Sequence, residues 1–441
     1  MRAIILSLVA ACFAMVSIAG RASVAAAGTG DKKRIRFNDA TRAAITTTFR
    51  VENFLEADWK GAVEWWVDWH VNTIGFERVY FFADSRYTVN FLRKVFGITR
   101  SHPHHDHVTV VGAWKWRTKA TEEDLYDFIG RQVRNCEEAY RRAAKEGLGW
   151  LVHMDVDELF YPKEQDLQGH LARLEERQIG SFTYRNLEAV QTPSTSLTAN
   201  YFQDVTLFKR HPSEFGMSPE DLWQSEDSPM VKLGFAAPTH GSTKGENRGK
   251  REYFFSYSNG KSIVRVVYLP KKLRPDPRNH YWVWDPKKVP KIWQLWRKQQ
   301  GKTLPANGRL TNAKGFSYRQ ISHAKFLPEL ADDVLLLHFV NCGKEFWKDK
   351  YRLLGRFHDN YSKQWPIPFD STLDSRDAVA SIDEVGEEGS TEANARADAY
   401  FRSTFVCEER TCIEQLEKFG VLAKGINVAS RGRELAQSRE L

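Results

Sequence analysis

The segment Trp150-Leu-Val-His-Met-Asp155-Val-Asp157-Glu158-Leu-Phe160 places the tightest constraint on this chain. Trp150, Leu151 and Val152 form a short apolar run of strand composition, and it leads into three carboxylates spaced Asp-x-Asp-Glu. Both demands are met if a core strand ends there, because open α/β sheets collect their ligands at the carboxyl ends of strands. Two carboxylates one residue apart, with the backbone bending between them, can share a divalent cation in a shell of oxygens. Asp155 and Asp157 are therefore candidate metal ligands, and Mn²⁺ or Mg²⁺ is the expected ion. A cation so held can bind a diphosphate, which points to chemistry on nucleotide sugars. The plain alternative is an acidic strand-to-loop turn.

The flanking sequence alternates strand and helix patterns from Ile45 to about Pro368, as an α/β sheet requires. Strands are expected at Thr46–Val51, Val79–Phe82, Val108–Val111, Trp150–Val152, Ser181–Leu187, Val205–Phe208, Tyr253–Tyr257, Ser262–Tyr268 and Val334–Val340. Helices are expected over Trp59–Ile74, Thr88–Phe96, Glu122–Lys145 and Glu345–Tyr361, with another through Leu167, Leu171 and Leu174. On the first of these, Val63, Trp66, Val67, His70 and Ile74 share one face. Gly97 and Gly147 stop the second and third. Residues 369–398 are acidic and poor in apolar side chains, so they read as a flexible linker. A tail over 399–441 carries a cysteine pair.

At 441 residues and 42% hydrophobic, the chain can bury one large core. Its net charge of +8 is scattered in short clusters. No nucleic-acid-binding motif accompanies it, so the excess reads as solvated surface with some attraction for an anionic donor. The first 27 residues combine Arg2, an apolar run from Ala3 to Ala19 and a small-residue tract ending Ala25-Ala26-Ala27. They read as a cleaved signal peptide or as an uncleaved type II anchor. Either sends the remainder into the secretory pathway, towards the ER or Golgi lumen or the exterior, with membrane contact only through that segment. In an oxidising compartment Cys407 and Cys412 can close a local disulfide, and Cys136 can pair with Cys342 or remain a buried thiol. Asn360 heads an N-glycosylation sequon.

Several segments resemble family 92 glycosyltransferases, which have the GT-A (Rossmann-like) fold. They are Val51-Glu52-Asn53, the helix Glu64-Trp-Trp-Val-Asp-Trp-His70, and Gly75-Phe-Glu-Arg-Val-Tyr-Phe-Phe-Ala-Asp84-Ser85. Met154-Asp-Val-Asp-Glu158, Asn259-Gly-Lys261-Ser-Ile-Val-Arg265 and Leu337-His338-Phe-Val-Asn-Cys-Gly343 follow in the family's order. Glu52-Asn53 stands in reversed order relative to the family's pair. The likeness covers about residues 46–362, within an expected catalytic domain over 45–368. It implies donor contacts from Glu52, Asn53, Asp84 and Ser85, and a metal shell completed by His338. It implies transfer of a hexose, galactose from UDP-galactose in the first instance, to a glycan or glycoprotein hydroxyl with inversion. The general base usually follows the metal motif in GT-A sequences, which makes Asp227, Asp204 and Glu188 its candidates.

The residues supply their own arguments and alternatives. Lys261 and Arg265 lie on one side of a strand and could clamp phosphate, or form a cationic stripe facing solvent. Asp84 and Ser85 could equally be turn chemistry. Glu158 fits a group that orients its neighbours. His102-Pro-His104-His105-Asp106-His107 could bind zinc, but its spacing matches no hydrolytic or structural zinc pattern, and a solvated loop is the plainer reading. Two other functions stay open: a carbohydrate-binding protein without turnover, and a secreted metal-dependent hydrolase acting through that histidine loop.

Overall fold

Strands buried on both faces read as unbroken apolar runs, and that is how the centre of this molecule is built. The computed structural model describes residues 36–440 apart from 52–55, 98–103, 113–127, 198–199, 237–250, 256–258, 279, 293, 295–310, 315–323, 356–369, 385–389 and 409. The chain divides into Met1–Arg34, outside the described residues, and Ile35–Leu441. The expected N-terminal signal segment, Glu52, Asn53 and Asn360 therefore lie outside the described residues. Among the described residues, no helix is long and apolar enough to cross a membrane.

Strands β1 (Asp39–Phe49), β2 (Arg78–Ala83), β3 (Val108–Gly112) and β4 (Leu148–His153) are mutually parallel. They alternate with helices α1 (Glu56–Asp68), α2 (Arg86–Phe96) and α3 (Phe128–Glu146). Small strand β5 (Glu158–Pro162) and helix α4 (Leu167–Glu176) come next, then β6 (Ile179–Thr183), β7 (Asn186–Val190) and β8 (Leu207–Lys209). The series ends with β9 (Ser262–Arg265), β10 (Thr311–Lys314), β11 (Lys325–Phe326) and β12 (Val334–His338). The large mixed sheet has the order β11-β10-β6-β9-β4-β1-β2-β3, and a second sheet the order β5-β12-β7-β8. Alternate residues serve opposite faces. Ile45, Phe81 and Val152 join one cluster with Trp59, Val63 and Trp66 of α1. Ala44, Tyr80, Phe82 and Leu151 join the other with Cys136, Ala139, Tyr140 and Ala143 of α3. This is the expected α/β class: a mixed central sheet flanked by helices.

Two consequences of the topology place a site. From β1 the chain steps outward through β2 to β3, then returns to the other side of β1 as β4. Strand order therefore reverses between β1 and β4, where open sheets form a ligand crevice. The chain also leaves the large sheet for the second one at two turns, Met154–Asp157 and Tyr184–Arg185. That is why one expected strand over Ser181–Leu187 is two: Tyr184 N donates to Lys261 O (2.9 Å), while Leu336 N already reaches Arg185 O (2.9 Å).

Other expectations need correction. The expected linker over 369–398 contains α6 (Asp370–Glu384) and the start of α7 (Ser390–Phe405), both after α5 (Lys344–Gly355). Val379, Ile382, Ala393, Ala397, Phe401 and Phe405 are buried against Trp347 and Tyr351 of α5. A sparse stripe at helical spacing suffices to hold these helices despite their acidic composition. The Cys407–Cys412 disulfide forms, whereas Cys136 and Cys342 are free and buried. They belong to different hydrophobic clusters on opposite faces of the large sheet. Of the expected strand at Tyr253–Tyr257, Tyr253–Phe255 are not in a strand and 256–257 lie outside the described residues; a two-residue strand stands just before it at Arg251–Glu252.

His70 ties the tryptophan-rich helix to the second sheet. After Asp68 the chain continues as a π-helical turn, Trp69–Ile74. The fully buried His70 ring lies between Trp66 O, 2.8 Å from Nδ1, and Phe160 N, which donates to Nε2 at 3.1 Å. Only the neutral ring can accept at Nε2, and burial lowers its pKa to about 3. The unfolded chain protonates this ring near its ordinary value, so stability is present above pH 6.5 and is lost as pH falls. Between pH 6.5 and 5, His70 should contribute a loss of up to about 1.4 kcal/mol per pH unit. Denaturant titrations across that range should show the slope, and His70→Gln should flatten it while lowering stability overall. An unchanged slope in the variant contradicts the assignment.

Candidate active site

The Asp-x-Asp turn is held from three directions by backbone and buried side chains. Met154 N donates to Thr46 O of β1 (3.1 Å), and Phe339 N to Asp157 O (2.8 Å). Trp66 Nε1 of α1 donates to Glu158 O at 2.7 Å. Glu158, completely buried, closes the turn on itself by accepting from Asp155 N at 2.8 Å. It is thus the orienting group that the sequence suggested. Burial raises its pKa to about 7, with Lys261 opposing.

Both aspartates carry an ammonium partner. Lys261 Nζ is 2.6 Å from Asp155 Oδ2, and Lys350 Nζ of α5 is 3.0 Å from Asp157 Oδ2. His338 Nε2 lies 3.8 Å from the same Asp157 oxygen. Burial disfavours both carboxylates' charge, but Lys261 and His153 hold Asp155 below the ordinary carboxylate range. Lys350 and His338 do the same for Asp157. Burial also works against the charges of Lys261 and His338, and their carboxylate partners outweigh it, raising both. His280 is driven the other way, by burial and then by the nearby Lys261, His153 and His338.

The crevice wall comes from α3. Arg131, Gln132 and Asn135 are buried on the helix face turned to the strand ends. Arg131 Nη2 lies 3.3 Å from Asp84 Oδ2 at the end of β2, Gln132 Nε2 donates to Asp155 Oδ1 (3.2 Å), and Asn135 Nδ2 donates to Thr48 Oγ1 (2.7 Å). Asp84, Asp155, Asp157, Lys261 and His338 are therefore brought to one crevice. Ser85 instead caps α2, accepting from Thr88 N at 3.0 Å.

Some expected roles do not survive the geometry. Arg265 faces the far end of β4: β9 runs antiparallel to it with Arg265 opposite Trp150. Lys261 and Arg265 are four residues apart, or about 13 Å along a strand. Arg265 spends its donors on Gly149 O (2.8 Å), Asn38 O (2.7 Å) and Glu175, so it clamps backbone rather than phosphate. Glu188 is fully buried and saturated by Lys209 Nζ (2.9 Å) and Phe255 N (2.8 Å), so it cannot meet an acceptor hydroxyl as a base. Asp204 is the exposed last residue of the short helix Tyr201–Asp204, whose Tyr201 and Phe202 are buried, and Asp227 is 96% exposed beside Lys232 (3.6 Å). The histidine loop lies at the opposite, amino end of the strands: Val79 N, at the start of β2, donates to His107 O (2.8 Å), and His104 faces Asp68 (3.6 Å). His102 is outside the described residues.

The expected metal set has suitable chemistry, two carboxylates and an imidazole. As arranged, however, it does not fit a resident divalent ion, because an ammonium already lies at hydrogen-bond distance from an oxygen of each carboxylate. Among the described residues, no group of three or more His, Cys, Asp or Glu side chains is disposed to hold a metal.

With this geometry in view, the chain can be set beside known proteins. No family model matches it. Two Arabidopsis thaliana proteins, both named glycosyltransferase-like, are 27% and 26% identical to it over 160 residues. That stretch is 36% of this chain and only 30% and 26% of theirs, so the match spans less than a third of either relative. Among solved structures, a mannosyltransferase from S. cerevisiae overlays 38% of this chain and 46% of its own, with 11% identity and a TM-score of 0.22. Core-mannan synthase A from Aspergillus fumigatus, in an Mn/GDP form, overlays 54% and 67%, with 12% identity and a TM-score of 0.21. Overlays this partial carry no argument for the fold or the site.

Glu188→Ala should test its structural role, because it strands Lys209 in the interior. A loss of about 3–5 kcal/mol is expected, with Glu188→Met/Lys209→Met recovering much of it. Thermal unfolding that barely shifts in the single variant would return Glu188 to the list of reactive groups.

Proposed function

We propose that this chain is a glycosyltransferase of GT-A type that transfers a sugar from a nucleotide-sugar donor to a hydroxyl of a glycan or glycoprotein. The observation that carries the reading is the convergence of Asp84, Arg131, Gln132, Asp155, Asp157, Lys261 and Lys350 on the crevice where strand order reverses. This is where a doubly wound sheet binds nucleotides, and the crevice offers both hydrogen-bonding side chains and cations. The names of the two Arabidopsis relatives point the same way.

In the reaction, the bond from the anomeric carbon to the donor phosphate oxygen breaks and its electron pair leaves with the nucleoside diphosphate. The acceptor oxygen bonds to the same carbon and releases its proton. Catalysis requires that charge developing on the diphosphate be met by fixed positive groups, and Lys261 and Lys350 stand at the strand end to do so. By the family resemblance, the first donor to examine is UDP-galactose and the expected stereochemistry is inversion, with the base a group other than the enclosed Glu188. The same resemblance and the N-terminal sequence support a location in the lumen of the secretory pathway.

Calorimetry and nucleotide release with a panel of UDP- and GDP-sugars test the reading. One donor should bind, and Gln132→Leu should weaken it by roughly three- to tenfold in a protein that remains folded, the scale of one lost hydrogen bond. Binding without nucleotide release under any acceptor would favour the carbohydrate-binding alternative. A folded protein that takes no sugar nucleotide sinks the proposal.

A further inference from the structure

We infer that Lys261 and Lys350 stand in for a divalent cation at the Asp155-x-Asp157 turn, so that a nucleoside diphosphate binds there against two ammonium groups and needs no metal. This rests on the transferase reading above and adds how its donor is held. The two lysines reach the turn from unrelated elements, one at the entry to β9 and the other on α5. Each pairs with a different aspartate, at 2.6 and 3.0 Å. Two formal negative charges are thus balanced by two positive ones within the protein itself.

Lys261 cannot step aside for an ion. Its side chain is 1% exposed, and its backbone is fixed by Gly260, which has φ +58°. A Cβ at Gly260 would fall 1.8 Å from Tyr184 O, so the chain passes there with no room to shift. A divalent ion bound by the same carboxylate oxygens would sit about 2.0–2.6 Å from them, against an ammonium already at hydrogen-bond distance. Displacing that ammonium would leave a buried cation without its counter-charge, an unfavourable exchange. His338, at 3.8 Å from Asp157 Oδ2, adds a third positive or hydrogen-bonding group on the same side.

Lys350 differs from Lys261 in a way that suits a ligand. It is 31% exposed at the mouth of the crevice, and Asp157 beside it is 21% exposed. Its flexible stem lets one ammonium hydrogen bond stay on Asp157 while others turn towards a phosphate. Lys261 then acts as the fixed positive charge and Lys350 as the group that meets the ligand. The ligand chemistry so defined is a nucleoside diphosphate, free or as the donor's leaving group.

The test uses the full-length protein, with UDP, GDP and their sugars as probes, titrated calorimetrically in Mn²⁺ and in EDTA, and Mn²⁺ titrated alone. The expected result is one nucleotide bound in EDTA within about twofold of its affinity in Mn²⁺, with no site for Mn²⁺ alone. Lys350→Met should weaken that nucleotide roughly tenfold or more, and Lys350→Arg should restore most of the loss, since a charge-assisted hydrogen bond is at stake. Should Lys350→Met fail to fold, Lys350→Arg and the wild-type metal comparison decide the matter. Binding that requires Mn²⁺, or Mn²⁺ binding that Asp157→Ala removes, overturns this inference and leaves the transferase reading standing. No nucleotide binding in either condition overturns both.

Discussion

Charge compensation at the seam between the two sheets is the constraint on which the rest of this structure depends. Glu158, His338, Glu188 and Lys209 are register partners across β5, β12, β7 and β8, so their side chains leave one face of the second sheet as a row. All four are buried, at 0%, 2%, 0% and 5% exposure. A buried charge persists only where an opposite charge and hydrogen bonds meet it. Alternating acid and base along the row meets that condition strand by strand. The row ends at the Asp-x-Asp turn on one side and, through Lys209, at the backbone of Tyr253 on the other.

The same logic separates groups that look alike in sequence. Glu188 and Asp157 are both acids beside a lysine, yet Glu188 is sealed while Asp157 keeps a fifth of its surface open to the crevice. Lys261 and Arg265 sit on one strand and one side, yet antiparallel pairing with β4 sends one to the carboxyl end and the other to the amino end. Reactivity in such a site is a matter of which end of a strand a residue occupies, and of whether its counter-charge leaves any hydrogen-bonding capacity unspent.

Much of this was legible in the sequence. The apolar runs at Val79–Phe82 and Trp150–Val152, the glycine stop at Gly147 and the acids after β4 gave the α/β class and the acidic strand end beside the point where strand order reverses. Patterns with a period are readable because burial imposes them. Lys350 was missed because a single lysine on an amphipathic helix has no pattern of its own. Gln132 and Asn135 left a trace, two amides three residues apart on a buried face of α3. The helices at Asp370–Glu384 and Ser390–Phe405 were hidden by acidic composition, although Ala393, Ala397, Phe401 and Phe405 recur every four residues. Base candidates chosen by position after the metal motif could not show that Glu188 would be enclosed.

The C-terminal segment bears on how the molecule is made. Helix α5 carries Lys350 on one side and lays Trp347 and Tyr351 against α6 and α7 on the other. Asp398 holds Lys344 and Lys348 of the same helix, at 2.7 and 2.8 Å. Beyond it, Cys407 N bonds to Gln191 O (2.8 Å), and the Gln191 side chain grips Asn341 O (2.7 Å) and Gly343 N (2.9 Å), the turn that launches α5. On a ribosome, β1 to β4 have emerged and can pair long before residues 379–407 exist. The crevice is therefore completed only by chain synthesised well after those strands. Until then the strands that have emerged lack the docked helix that brings Lys350 to its partner.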